Sequence, residues 1–257
     1  MKVWVTRPAA EAAVWVRELR ARGFQAEAFP LIAIGPAPDA AALAGWWQEL
    51  GSLKAVMFVS TNAVRHFHAA RPGGAAWPAS TRAWSPGQGT RAALLEAGVP
   101  PELVDSPPPD SAQFDSESLW AQVRGQVGPG DRVLLVRGAE PDAGKDGARA
   151  GTGREWLGDR LGEAGTRVHE VVAYVRSKPK REDVFAIPDL SGGAWLFSSS
   201  QAIAHLEELL PGISFGGWTC VATHPRIAQA ARDAGFGVVR ESRPGIDAVA
   251  ATLESIR

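Results

Sequence analysis

Phe58-Val59-Ser60-Thr61-Asn62-Ala63-Val64-Arg65-His66-Phe67 returns later in the chain as Phe197-Ser198-Ser199-Ser200-Gln201-Ala202-Ile203-Ala204-His205-Leu206. Each run follows a short apolar segment, Ala55-Val56-Met57 or Ala194-Trp195-Leu196. Each reads as a strand that empties into a Ser-rich turn and then opens a helix. The first N–H groups of a helix have no intrahelical partner and carry partial positive charge, so such turns attract anions. Two copies in one chain predict two similar domains facing an anion-lined cleft.

The repeat extends further. Arg82-Ala83-Trp84-Ser85 and the run from Gly87 to Gly98 parallel Thr219-Cys220-Val221-Ala222 and the run from Thr223 to Gly235. Both read as strand, turn and helix, with Gly as the stop signal. Upstream, Val3-Trp4-Val5-Thr6-Arg7 parallels Val133-Leu134-Leu135-Val136-Arg137, and Leu19 to Gly23 parallels Leu161 to Gly165. Strands alternating with helices argue for α/β domains with parallel sheets. The segment order allows either two contiguous domains or a chain that leaves its first domain and returns to it. Two long extended runs, 25–34 and 167–176, favour the second: strands crossing side by side. The predicted domains are 1–36 plus 177–257, and 39–172.

At 257 residues the chain suits two such domains. Its net charge of −1 argues against nucleic-acid binding, which usually needs a basic face. Its single Cys excludes a disulfide framework. The N-terminus begins as a strand with no apolar signal region, and no apolar run reaches membrane length, so a soluble cytoplasmic protein is expected. The five His are scattered and there is no phosphate loop, so no metal and no cofactor are expected. His66 and His205 hold matching positions and read as repeated surface or interface residues. Gly87-Gln88-Gly89-Thr90-Arg91-Ala92 fits a dinucleotide-binding pattern, with Asp105 near the place of a ribose-binding acid. It is discounted, because it is not in the first βα unit of its half and the matching turn at Thr223-His224-Pro225 has no such glycines. The stretch from Ala139 to Gly153 reads as a mobile loop over a site or as an insertion.

Several of these segments together resemble the uroporphyrinogen-III synthase family of tetrapyrrole and heme biosynthesis. The carriers are Val5-Thr6-Arg7-Pro8, Phe58 to Val64, Gly87 with Thr90-Arg91-Ala92, Ser116-Glu117-Ser118-Leu119, Val136-Arg137-Gly138, Val172-Ala173-Tyr174 and Phe197-Ser198-Ser199. The resemblance implies two α/β domains joined by a two-stranded antiparallel linker, with the active site in the cleft. It implies a lyase, working without a cofactor, that closes the linear tetrapyrrole hydroxymethylbilane with inversion of ring D. It also implies a monomer supplied by hydroxymethylbilane synthase. A non-catalytic two-domain protein that binds a small anion is the alternative.

Such chemistry rests mainly on positioning, with donors holding the substrate's carboxylates. Ser60, Asn62 and Ala63 are expected on one wall, and Ser198, Ser199 and Gln201 on the other. Gly87 and Thr90 would form a further N–H pocket. Ser116 opens a helix and is expected to cap it or meet substrate. Thr6, Arg7 and Arg137 end matching strands and are placed to face carboxylates. Tyr174, the sole tyrosine, falls on the second crossing strand, and the resemblance makes it the catalytic candidate that assists hydroxyl departure. Family members often carry Gly-Pro-x-Thr-Ala where this chain has His224-Pro225-Arg226-Ile227-Ala228. Any hydroxyl role there is lost, with Arg226 as a substitute carboxylate partner.

Overall fold

The computed structural model describes residues 1–111, 113–140, 152–180, 190 and 192–256, with 152–155 as backbone only. Most of the loop anticipated at 139–153 lies outside the described residues. The chain divides into two compact units, Met1–Ile34 with Ser177–Arg257, and Gly35–Arg176.

The first unit holds β1 (Lys2–Val5), α1 (Ala9–Ala21), β2 (Gln25–Ala28), β9 (Ala194–Phe197), α7 (Ser200–Leu209), β10 (Thr219–Ala222), α8 (Pro225–Asp233), β11 (Val238–Glu241) and α9 (Ile246–Glu254). Its sheet is parallel, in the order β11-β10-β9-β1-β2. Side chains alternate across the sheet and separate into two cores. Trp4, Trp195, Phe197, Cys220 and Ala222 pack with Ile203, Leu206, Ile227 and Ala231 on one face. Val3, Val5, Ala194, Leu196 and Val221 pack with Ala12, Leu19, Val249 and Leu253 on the other. Helices therefore cover both faces, as parallel strands require. Burial pushes the Cys220 thiol up to about 12, in keeping with its place as apolar filler.

The second unit holds α2 (Ala40–Glu49), β4 (Ala55–Phe58), α3 (Thr61–Ala69), β5 (Arg82–Trp84), α4 (Gln88–Glu96), β6 (Val104–Asp105), α5 (Ser116–Val123), β7 (Arg132–Ala139), α6 (Thr152–Glu163) and β8 (Arg167–Ser177). Its strands run β8-β7-β4-β5-β6, parallel throughout. Setting β9, β10, β11, β1 and β2 against β4, β5, β6, β7 and β8 makes the two sheet orders the same. The units share one architecture, and the first is a circular permutation of the second. β3 (Ala33–Gly35) adds an edge strand beside β8. These two strands carry the chain across both unit boundaries. The extended run anticipated at 25–34 is interrupted: Phe29, Leu31 and Ile32 leave the strand and bury in the aromatic core.

Among the described residues no helix is long and apolar enough to cross a membrane. Asp105 is not free to meet a ribose. It accepts a forked pair of hydrogen bonds from Arg82, at 2.7 Å for Nη2–Oδ1. The glycine-rich decoy thus lacks its acid.

Two predictions follow from this arrangement. A fragment comprising residues 177–257 lacks β1 and β2, and with them Val3, Val5, Ala12 and Leu19 of one core face. It should not unfold cooperatively in urea, whereas residues 35–176 alone should. The second concerns His68, whose ring nitrogens are buried without hydrogen bonds, stacked on Trp77 and set against Trp47. Burial, helped by the Arg71 charge, pushes this imidazole from 6.5 down to about 4. Its proton is then taken up preferentially by the unfolded chain. His68 costs nothing above pH 6.5 and destabilises the fold as pH falls from there towards 4. The Tm should drop between pH 7 and 5, and the drop should shrink in His68→Phe. An equal drop in both proteins assigns the acid sensitivity elsewhere.

Candidate active site

In a doubly wound sheet, ligands bind beyond the carboxyl ends of the strands, where the strand order reverses and two connections part. In the second unit the order reverses between β4 and β7. In the first it reverses between β1 and β9. Residues anticipated from the sequence follow three of these strand ends: Ser60, Asn62 and Ala63 after β4, Thr6 and Arg7 after β1, and Ser198, Ser199 and Gln201 after β9. Arg137, expected to end its strand, instead lies within β7, whose pairing with β8 continues to Ala139. The neighbouring strands β5 and β10 lead into Gly87 and Thr90, and into Arg226.

At the β4/β7 switch point, Ser60 is the N-cap of α3, and its Oγ accepts the Ala63 N–H at 3.2 Å. The same Oγ lies 3.0 Å from the Tyr174 hydroxyl. Tyr174 is buried on β8. Its ring lies against the backbone of Gly138, and the His66 imidazole stands 5.7 Å away, tilted by 31°. Burial pushes His66 down from its usual value, towards the neutral form. Asn62 is buried in the first turn of α3. Gly87 caps α4 with extended backbone, and Thr90 is buried one turn in. A Cβ built on Gly89 would meet Thr61 Oγ1 at 3.8 Å, so the starts of α3 and α4 adjoin. Arg137 Nε donates to Glu170 Oε2 at 2.6 Å, so its guanidinium is tied to β8.

Ser116 is buried as the first residue of α5 but is not the cap. Asp115 takes that place, accepting the Ser118 N–H at 2.8 Å. A carboxylate is the stronger partner for an N-terminal N–H, which is the reason for the correction.

At the β1/β9 switch point, the Thr6 hydroxyl donates to Leu196 O at 2.8 Å, and the Thr6 N–H turns to the same oxygen. Thr6 thus fastens the loop with the very groups a ligand would need. The Arg7 guanidinium lies 4.3 Å over the Trp15 ring and donates to Glu11 at 3.2 Å. Its Nε is buried without a hydrogen-bond partner. Burial lowers the Arg7 pKa, with Glu11 opposing the shift, yet a guanidinium stays charged in proteins. Ser199 is the N-cap of α7 but forms no side-chain capping bond, unlike Ser60. Arg226 is exposed at the start of α8, where its N–H donates to His224 Nδ1. His205, read as a surface or interface residue, is buried with Nδ1 2.6 Å from Leu31 O.

The sequence named the strand ends but missed Gly138 and His66 as neighbours of the phenol. The only signal was the glycine after Arg137. Among the described residues no group of three His, Cys, Asp or Glu is placed to hold a metal ion.

Hydroxyl, amide and guanidinium groups thus lie at the strand switch point of each unit of a two-unit α/β protein. A family model described as uroporphyrinogen-III synthase HemD matches residues 13–251, and the chain belongs to that family. The uroporphyrinogen-III synthase of Chlorobaculum parvum is 30% identical over 193 residues, covering 73% of this chain and 69% of the relative. In fold the chain is similar to a mutant uroporphyrinogen III synthase from Thermus thermophilus, with TM-score 0.57 and 18% identity over 100% of this chain and 97% of that one. The synthetase from Helicobacter pylori gives TM-score 0.52 and 12% identity over 100% and 99%.

The two Ser turns differ in a way that stability measurements will read. Ser60→Ala removes a capping bond and should lower urea-unfolding stability by about 1 kcal/mol. Ser199→Ala removes none and should cost less than half as much. Equal losses would mean that the two caps are equivalent in solution.

Proposed function

We propose that this chain is the lyase that converts hydroxymethylbilane to uroporphyrinogen III and water, inverting ring D as the macrocycle closes. The observation that carries the proposal is the Tyr174–Ser60 hydroxyl pair, anchored on the N-terminus of α3 at a strand switch point.

The pyrrole nitrogen of the first ring pushes out the terminal hydroxyl, leaving an azafulvene. The substituted carbon of ring D attacks it, and the resulting spiro intermediate fragments and recloses. A proton taken up by the leaving hydroxyl is matched by one lost as the last pyrrole regains aromaticity. Hydroxide is a poor leaving group, so a donor at that oxygen lowers the first barrier. The relay runs through the shared Ser60–Tyr174 hydrogen bond: Ala63 N–H donates to Ser60 Oγ, and with Ser60 as the donor to the Tyr174 oxygen the phenol donates to the departing hydroxyl. The positive end of α3 stabilises charge developing on the phenol oxygen. Arg7, with an unpartnered Nε, holds a carboxylate. Asn62, Gly87, Thr90, Ser116, Arg137, Ser198, Ser199, Gln201 and Arg226 supply further donors from side chains and helix starts. Thr6 shapes its loop.

The choice of isomer lies in how the bilane is folded, not in proton transfer. The substrate closes unaided to the uninverted isomer, which favours direct supply by hydroxymethylbilane synthase. The protein is further taken to be a cytoplasmic monomer. The anion-binding alternative is not favoured, because mere binding gives no reason for a buried hydroxyl relay.

Tyr174→Phe keeps the ring and removes the phenol. Because the pyrrole nitrogen also expels the hydroxyl, kcat should fall by only roughly 10–100-fold, near the lower end for a positioned acid. The product should remain uroporphyrinogen III. A rate within about twofold of wild type would assign Tyr174 to packing.

A further inference from the structure

We infer that Gly138 is a positioning residue for Tyr174: the bare backbone at the β7 irregularity is the seat on which the phenol lies while its hydroxyl meets Ser60. The pairing of β7 with β8 runs evenly to Arg137↔Val172 and then jumps to Gly138↔Tyr174, leaving Ala173 without a partner. A bulge of this kind re-aims a side chain. Here it brings the ring of Tyr174 down onto Gly138. A Cβ at Gly138 would stand 2.5 Å from Tyr174 Cζ, 2.6 Å from Cε2 and 2.9 Å from the hydroxyl oxygen. Non-bonded heavy atoms settle at about 3.5–4.0 Å, so no side chain fits while the ring stays.

The backbone gives no other reason for glycine. Gly138 is not among the positive-φ glycines of the chain, so an alanine meets no conformational penalty there. The three nearest obstacles are all atoms of the phenol, the outer end of a rotatable side chain. Swinging that ring costs less than shifting β7, which is hydrogen-bonded to β4 and β8. Gly138→Ala should therefore fold normally while displacing the hydroxyl from Ser60. The kinetic part of this inference rests on the role proposed for Tyr174; the seat itself does not.

Because Tyr174 is the sole tyrosine, a chain grown on ring-13C-tyrosine gives the NMR signals of this ring only. In Gly138→Ala those signals should shift while the Tm stays close to wild type. On hydroxymethylbilane, kcat should fall by roughly the same 10–100-fold as in Tyr174→Phe, with KM moving less than about twofold. Adding Gly138→Ala to Tyr174→Phe should cost less than about twofold more, since residues acting through one group are not additive. Unchanged ring signals would overturn the seat, as would losses that multiply in the double variant. A displaced ring with full turnover would keep the seat and remove the phenol from the mechanism, which separates failure of this inference from failure of the proposed role.

Discussion

A parallel strand can be followed by another only after the chain has travelled back along the sheet, so every strand of such a sheet ends at the same edge and the return helices start there. That constraint puts unpaired N–H groups, capping hydroxyls and glycines at one rim without any search for them. Where the strand order reverses, two connections part and leave room for a ligand. This chain builds that rim twice, between β4 and β7 and between β1 and β9. Ser60, Tyr174 and Gly138 meet at the first, and Thr6, Arg7, Ser198 and Ser199 lie at the second.

The two rims share architecture but differ in chemistry. Ser60 caps its helix and touches a phenol, whereas Ser199 forms no capping bond. His66 stands beside Tyr174, whereas His205 at the matching position is buried on Leu31 O. The first unit instead carries the half-buried guanidinium of Arg7, whose buried Nε has no hydrogen-bond partner. The two units thus share a strand order while the side chains at their rims differ.

The repeat was legible in the sequence because a strand, a Ser turn and a helix start are local features. Their order was compatible with a chain that leaves its first domain and returns to it, and the two long extended runs favoured that reading. What was not legible depends on partners far apart in the chain. Ser60 and Tyr174 are 114 residues apart, and their contact needs β8 beside β7 and β7 beside β4. The same holds for Arg137 with Glu170 and for Arg82 with Asp105, which are paired through strand adjacency rather than through spacing. Even a local inference failed where two residues competed. Ser116 was expected to cap α5 or to meet substrate, but Asp115, one residue earlier, is the cap. Gly138 was quoted as part of a motif, but the reason for a glycine there is the ring of a residue on the next strand.

The most direct measurement is the product isomer. Purified protein is incubated briefly with hydroxymethylbilane beside a protein-free control, and the uroporphyrinogens I and III are separated after oxidation. Rapid formation of isomer III, well ahead of the isomer I that forms unaided, is the expected result. Isomer I alone, at the protein-free rate, would contradict the assignment of a cyclising synthase.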